Sequence, residues 1–182
     1  MNLNGGETFR LSANSTVEAV HTPVHTWGHT AVYDHRSKTL ISGGASIWTN
    51  IPNDDWTGAL PPTCCYVDPC IATQDRLLSM DIELLASSHW PLQCGAEVAG
   101  FVQENKTYCL HVEQRLLDFI RTNDQLPVQE AINALGMELG SWPENTNQDF
   151  SYGMLGNFNQ PTGRSLMATA RNADKYITWS VA

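Results

Sequence analysis

The segment His21-Thr22-Pro23-Val24-His25-Thr26-Trp27-Gly28-His29 constrains this chain more than any other stretch. It places three of the six histidines at four-residue intervals. Pro23 and Gly28 disfavour a regular helix there. Its flanks, Thr16–Val20 and Thr30–Tyr33, alternate polar and apolar residues and read as strands. The histidines are therefore expected on a loop at strand ends. Neutral imidazole is the commonest zinc ligand, and a loop held between strands can position such ligands rigidly. An ordinary polar loop would satisfy the same pattern.

The surrounding pattern fills in the layout. Thr8–Leu11 predicts a further strand. Thr30–Tyr33 and Lys38–Ile41 predict a hairpin turning through Asp34–Ser37. From Ser46 to Pro69 the chain is rich in Pro, Asn, Asp and Trp without a clear period, which predicts a long surface loop of the kind that borders functional sites. A short helix is expected over Ile71–Met80 and a buried strand over Ile82–Ala86, leading to a loop at Ser87–His89. Between Glu97 and Ile120 apolar residues recur at steps of three and four, which predicts a long helix with one buried side. A second helix over Pro127–Leu139 has Pro127 at its start and Gly140 at its end. A short helix over Phe150–Phe158 and a terminal strand pair, Leu166–Arg171 and Tyr176–Val181, complete a mixed α/β or α+β layout.

Composition narrows the function classes. Ten basic against nineteen acidic residues give a net charge of -9, which disfavours nucleic acid and anionic membrane as partners. No apolar run approaches the roughly 18 residues of a membrane helix. Met1–Gly6 has neither a basic start nor an apolar core, so no signal peptide is expected. Five cysteines without an export signal read as reduced thiols in a cytoplasmic protein. Cys64, Cys65 and Cys70 lack the usual Cys-x-x-Cys spacing of a metal site, and burial as small apolar side chains is the expectation for them.

The histidine segment, followed by Ala31-Val32-Tyr33-Asp34 and Leu40-Ile41-Ser42-Gly43-Gly44, resembles the third and fourth motifs of the metallo-β-lactamase superfamily. There a loop of type His-Thr-Pro-Gly-His-Thr-Pro-Gly-His precedes a hairpin ending in Gly-Asp, and a later loop, His-Trp-Pro in one branch, supplies a last histidine. Here that loop is His89-Trp90-Pro91. The resemblance runs from about Glu7 to Phe119. It implies zinc as the cofactor and His25 and His89 as metal ligands, with His21 and His29 in supporting positions. Trp48, Trp56 and Trp90 become the residues expected at a pocket.

The departures are as informative. Gly44 stands where the family has a metal-bridging aspartate, and Val24 replaces a glycine, which would strain the loop if that position needs a positive φ. The family's His-x-His-x-Asp-His motif occurs nowhere in the 182 residues. A catalytic zinc generally needs about three protein ligands, and the family pattern leaves two. Asp54, Asp55, His35 and His111 read as solvated residues. The implied fold is a partial αββα sandwich over residues 1–123, with a helical or winged-helix-like appendage over 124–182. The implied function is hydrolase-like, with zinc-dependent cleavage of an ester, thioester, lactone or similar bond in a small molecule, weakened or lost in this chain. The alternative is a non-catalytic scaffold or fragment. In either case a homodimer or a partner chain is expected to cover the missing half-sheet.

Overall fold

The protein is described by a computed structural model over residues 3–62, 64, 66–123, 127–150, 167–171 and 177–181. Four antiparallel strands come first: β1 (Thr8–Ser12), β2 (Ser15–His21), β3 (Thr30–Asp34) and β4 (Thr39–Gly43). The β3–β4 hairpin turns where Asp34 was expected to turn it, and the Asp34 carboxylate accepts from the Arg36 N–H and the Ser37 hydroxyl, both at 2.9 Å. After β4 the chain makes a small hairpin, β5 (Ile51–Pro52) with β6 (Gly58–Leu60), and then α1 (Val67–Ser79). It returns as β7 (Leu84–Ser87), parallel to β4, and β8 (Gln93–Cys94) closes the sheet in the order β1-β2-β3-β4-β7-β8. Two local expectations change. The 46–69 stretch contains the β5–β6 hairpin, and α1 begins at Val67 rather than Ile71 because Pro69 fits a first helical turn, where its missing N–H has no partner to lose.

α2 (Ala96–Thr122) is the long helix read from the apolar period. Its buried residues Val98, Phe101, Val102, Asn105, Cys109, Val112, Leu116 and Ile120 step mostly by three and four, so one stripe faces inward. The first half of that stripe packs with Val20, Ala31, Tyr33, Leu40, Leu77 and Leu85 against the sheet. The second half forms a separate core with Ala131, Ile132, Leu135 and Leu139 of α3 (Val128–Leu139) and with Trp142. The segment after residue 123 thus shares its core with α2. A 3-10 helix (Glu144–Phe150) and the antiparallel pair β9 (Met167–Arg171) and β10 (Ile177–Val181) follow, while residues 151–158 of the expected short helix lie outside the described residues. Each buried leucine of these cores contributes about 1.5–3 kcal/mol by leaving water.

Among the described residues the helices cover one face of the sheet, and on the other Ala19 is buried while Val32 and Ile41 are exposed. Ala31, Tyr33 and Leu40 point to the helices, and the period of two sends their neighbours the other way. Ala19, Val32, Ile41 and Ala86 are cross-strand partners in one row on that opposite face. Val32 is 36% and Ile41 56% exposed. Among the described residues no helix is long and apolar enough to cross a membrane.

Candidate functional site

The His21–His29 segment is a closed loop. At its base the Thr22 N–H donates to the His29 carbonyl (2.9 Å), and Thr22 Oγ1 and His29 Nδ1 share a hydrogen bond of 2.8 Å. His21 Nε2 lies 2.6 Å from the Trp27 carbonyl. Val24 is 3% exposed and anchors the loop by packing with Ala45, Cys70 and Cys109. It is not among the residues with positive φ, so the strain considered for a valine in place of glycine does not arise. His25 is exposed.

His29 faces the end of β4. A Cβ built on Gly43 would lie 3.2 Å from His29 Nε2, and one on Gly44 3.8 Å. Burial holds the His29 imidazole below its ordinary value against the opposing bond to Thr22, helped by the charges of His25 and His21. On the other side of Gly43, the Ser88 N–H donates to the Gly43 carbonyl at 2.9 Å. The loop carrying His89 and the loop carrying His25 therefore meet at Gly43, at the carboxyl ends of the parallel strands β4 and β7. That end of a parallel pair is where open α/β sheets place their ligands.

Beside His89 the expected tryptophans come together. Trp48 and Trp90 pack edge to face with centroids 4.6 Å apart, and Trp56 stacks on Trp90 at 6.1 Å. With Phe101, Glu97 and Glu104 they line an open groove of about 560 Å³. Trp90 Nε1 donates to the carbonyls of Ile47 (2.9 Å) and Asn50 (3.1 Å), Asn105 Nδ2 donates to the Trp48 carbonyl (2.9 Å), and the Trp48 indole donates to Glu104. Only four described non-glycine residues adopt a positive φ, and Trp48, Trp56 and His89 are three of them. Such backbone costs about 1–3 kcal/mol per residue and tends to persist where a site needs it.

The other candidates separate from this rim. His35 pairs with Glu18 at 2.7 Å, and Asp55 is occupied by the Thr57 hydroxyl at 2.6 Å. Among the described residues, no third His, Cys, Asp or Glu completes a metal-holding group with His25 and His89. Among the described residues the two histidines are fewer than the about three protein ligands of a catalytic zinc. One group of three does exist elsewhere, Cys64, Cys70 and Cys109, with all sulfurs within 4.8 Å of one another. Sequence reading missed it because Cys109 lies 39 residues beyond Cys70, although its place on the inward stripe of α2 was legible. The hydrogen bond to Cys109, aided by burial, pushes the Cys64 and Cys70 thiols well up. The same bonds, that to Cys64 first, pull Cys109 well down.

No family model matches the sequence, and no curated protein matches it. Solved structures do. A metallo-β-lactamase family protein of Thermus thermophilus matches 99% of the chain with a TM-score of 0.70 at 16% identity, over 54% of its own length. A β-lactamase domain protein of Burkholderia ambifaria matches 99% with a TM-score of 0.71 at 14% identity, over 51% of its length. The chain has the metallo-β-lactamase fold. The inverting sec-alkylsulfatase Pisa1 of a Pseudomonas species is similar over 87% of the chain and 26% of its own length, at 15% identity and a TM-score of 0.57. The metallo-β-lactamase-fold chain spans about half the length of the first two structures, and the likeness takes in the helical segment after residue 123.

Proposed function

We propose that this chain is a metallo-β-lactamase-fold, hydrolase-like protein whose His25 and His89 form one part of a zinc site beside a small-molecule groove. The supporting observation is the convergence of both histidine loops on Gly43 at the carboxyl ends of β4 and β7. The reaction class is hydrolysis of an ester, thioester, lactone or similar bond. With two imidazoles and glycine at position 44, the chain by itself supplies a weak metal site, and full activity needs donors from elsewhere. His21 and His29 support the loop, and Trp48, Trp56 and Trp90 contact the substrate. The groove presents two carboxylates and no cationic side chain, so it favours a neutral or cationic molecule with a flat apolar body over an anion.

The exposed part of the Ala19–Ala86 row, Val32 and Ile41, is the proposed seat of a second β layer, supplied by a partner chain or a second copy. All described cysteines are free thiols, which suits a reducing, cytoplasmic setting. The test is hydrolysis of neutral ester, thioester and lactone substrates with added zinc, for the chain and its His25→Ala and His89→Ala variants, with oligomeric state measured alongside. Zinc-stimulated turnover lost in both variants supports the reading. Turnover indifferent to zinc and to both histidines overturns it. A second reading, a non-catalytic scaffold, is favoured by the missing third donor among the described residues. It requires a folded chain with ligand binding in the groove and no turnover at any zinc concentration.

A further inference from the structure

A second, unrelated cluster lies beneath the loop that carries two of the groove tryptophans. Cys64 precedes α1, Cys70 lies in the first part of α1, and Cys109 lies midway along α2. Sγ of Cys70 and Sγ of Cys109 are 3.6 Å apart, and Sγ of Cys64 lies within 4.8 Å of both. Sulfurs bound to one tetrahedral zinc at about 2.3 Å stand roughly 3.8 Å from each other. The three thiols are therefore already near ligand spacing, whereas a disulfide would need its two sulfurs to close to about 2.05 Å.

The thiols open onto an apolar cavity with room of about 20 Å³, enough for one ion or one water. Val24, Ile47 and Tyr108 are among the residues of its wall. On the cavity wall Tyr108 Oη is buried without a hydrogen-bond partner, and so is Oε1 of Gln74, one turn along α1 from Cys70. The Gln74 amide nitrogen is already committed to the Ala45 carbonyl at 2.7 Å and leans on Cys70 Sγ at 3.8 Å, so its oxygen alone is left over. Buried polar atoms without partners are uncommon, and each calls for an unseen one. Among the described residues no lysine, arginine or histidine lines the cavity, so no cationic side chain is placed to turn these thiols into nucleophiles. Soft sulfur donors select zinc over magnesium or calcium.

We propose that Cys64, Cys70 and Cys109 form a structural zinc site that clips the 44–66 loop onto α1 and α2. On binding, three S–H bonds break, three protons pass to solvent, and three Zn–S bonds form. A neutral oxygen, the Tyr108 hydroxyl on the cavity wall, takes the fourth position. The clip fixes Trp48, which lines this cavity as well as the groove above it.

The test uses the full chain purified in reductant. Cobalt(II) is loaded and the thiolate-to-cobalt charge-transfer absorption is recorded, with zinc content measured by elemental analysis after dialysis. The expected result is about one zinc per chain and a charge-transfer band whose intensity falls by about one third or more in Cys64→Ser. The His25→Ala/His89→Ala double variant should leave that band unchanged. Cys109→Ser risks the fold because it sits in the helix core, whereas Cys64 is only half-buried, so Cys64→Ser keeps the test interpretable. A folded chain without the band overturns the proposal. So does metal that persists in Cys64→Ser and disappears in the histidine variant. An intact mass two hydrogens lighter, with two thiols lost to alkylation, would show a Cys70–Cys109 disulfide instead and overturns it equally.

Discussion

Replacing Gly44 by aspartate asks whether the histidine loop lies where the fold puts it. Gly44 does not have a positive φ, and its added Cβ would sit 3.8 Å from His29 Nε2, an ordinary contact. The carboxylate beyond that Cβ comes within hydrogen-bonding reach of the imidazole. An opposite charge at such a distance favours the protonated ring and should raise the His29 midpoint by about 1 pH unit or more. The pH dependence of stability then weakens. In the native chain His29 titrates below its ordinary 6.5, chiefly through burial, so its contribution to stability is present above 6.5 and is lost as pH falls through the folded midpoint. In Gly44→Asp the carboxylate favours the protonated ring, so less stability is lost as pH falls below 6.5 than in the native chain. Gly43→Asp is the control: its φ of +53° and a Cβ only 3.2 Å from Nε2 make it costly by about 1–2 kcal/mol. The assay is a titration of the imidazole ring resonances by NMR. A folded Gly44→Asp chain whose His29 midpoint stays put or falls would refute the placement of His29 against β4.

Other expectations follow from the packing. Leu116→Ala empties a fully buried position between α2 and α3 and should cost about 3 kcal/mol in urea unfolding. Gly58→Ala should cost about 3 kcal/mol, because its Cβ would fall 1.5 Å from the Ser141 carbonyl oxygen, a backbone atom that cannot simply turn aside, whereas Gly44→Ala should be nearly silent. Asn105→Ala removes the buried amide that holds the Trp48 carbonyl and should cost about 1–3 kcal/mol, with weaker binding of aromatic ligands in the groove by fluorescence titration.

The legible parts of this fold are those with a strong local period or local turn chemistry. The inward stripe of α2 repeats over many turns, and Asp34 closes its own hairpin, so both could be read from sequence. The β5–β6 hairpin could not be read, because strands of two and three residues show no alternation. At the rim, His21–His29 announced itself by composition, but the anchoring of the loop by Val24 depends on Cys70 and Cys109, which the sequence does not place beside it. The three groove tryptophans were named from the resemblance, while nothing in the sequence pointed to Asn105 as the residue that holds one of them. The thiol cluster needs α1 and α2 packed side by side, and no spacing rule reports that.

The convergence of His25 and His89 is the claim on which the functional reading stands. It is tested most directly by a zinc titration of the Cys64→Ser chain, following histidine ring resonances by NMR. The account predicts that the His25 and His89 resonances move together with one common midpoint, and that His25→Ala abolishes the response of His89. Resonances that move at separate midpoints, or a His89 response that survives His25→Ala, would contradict it.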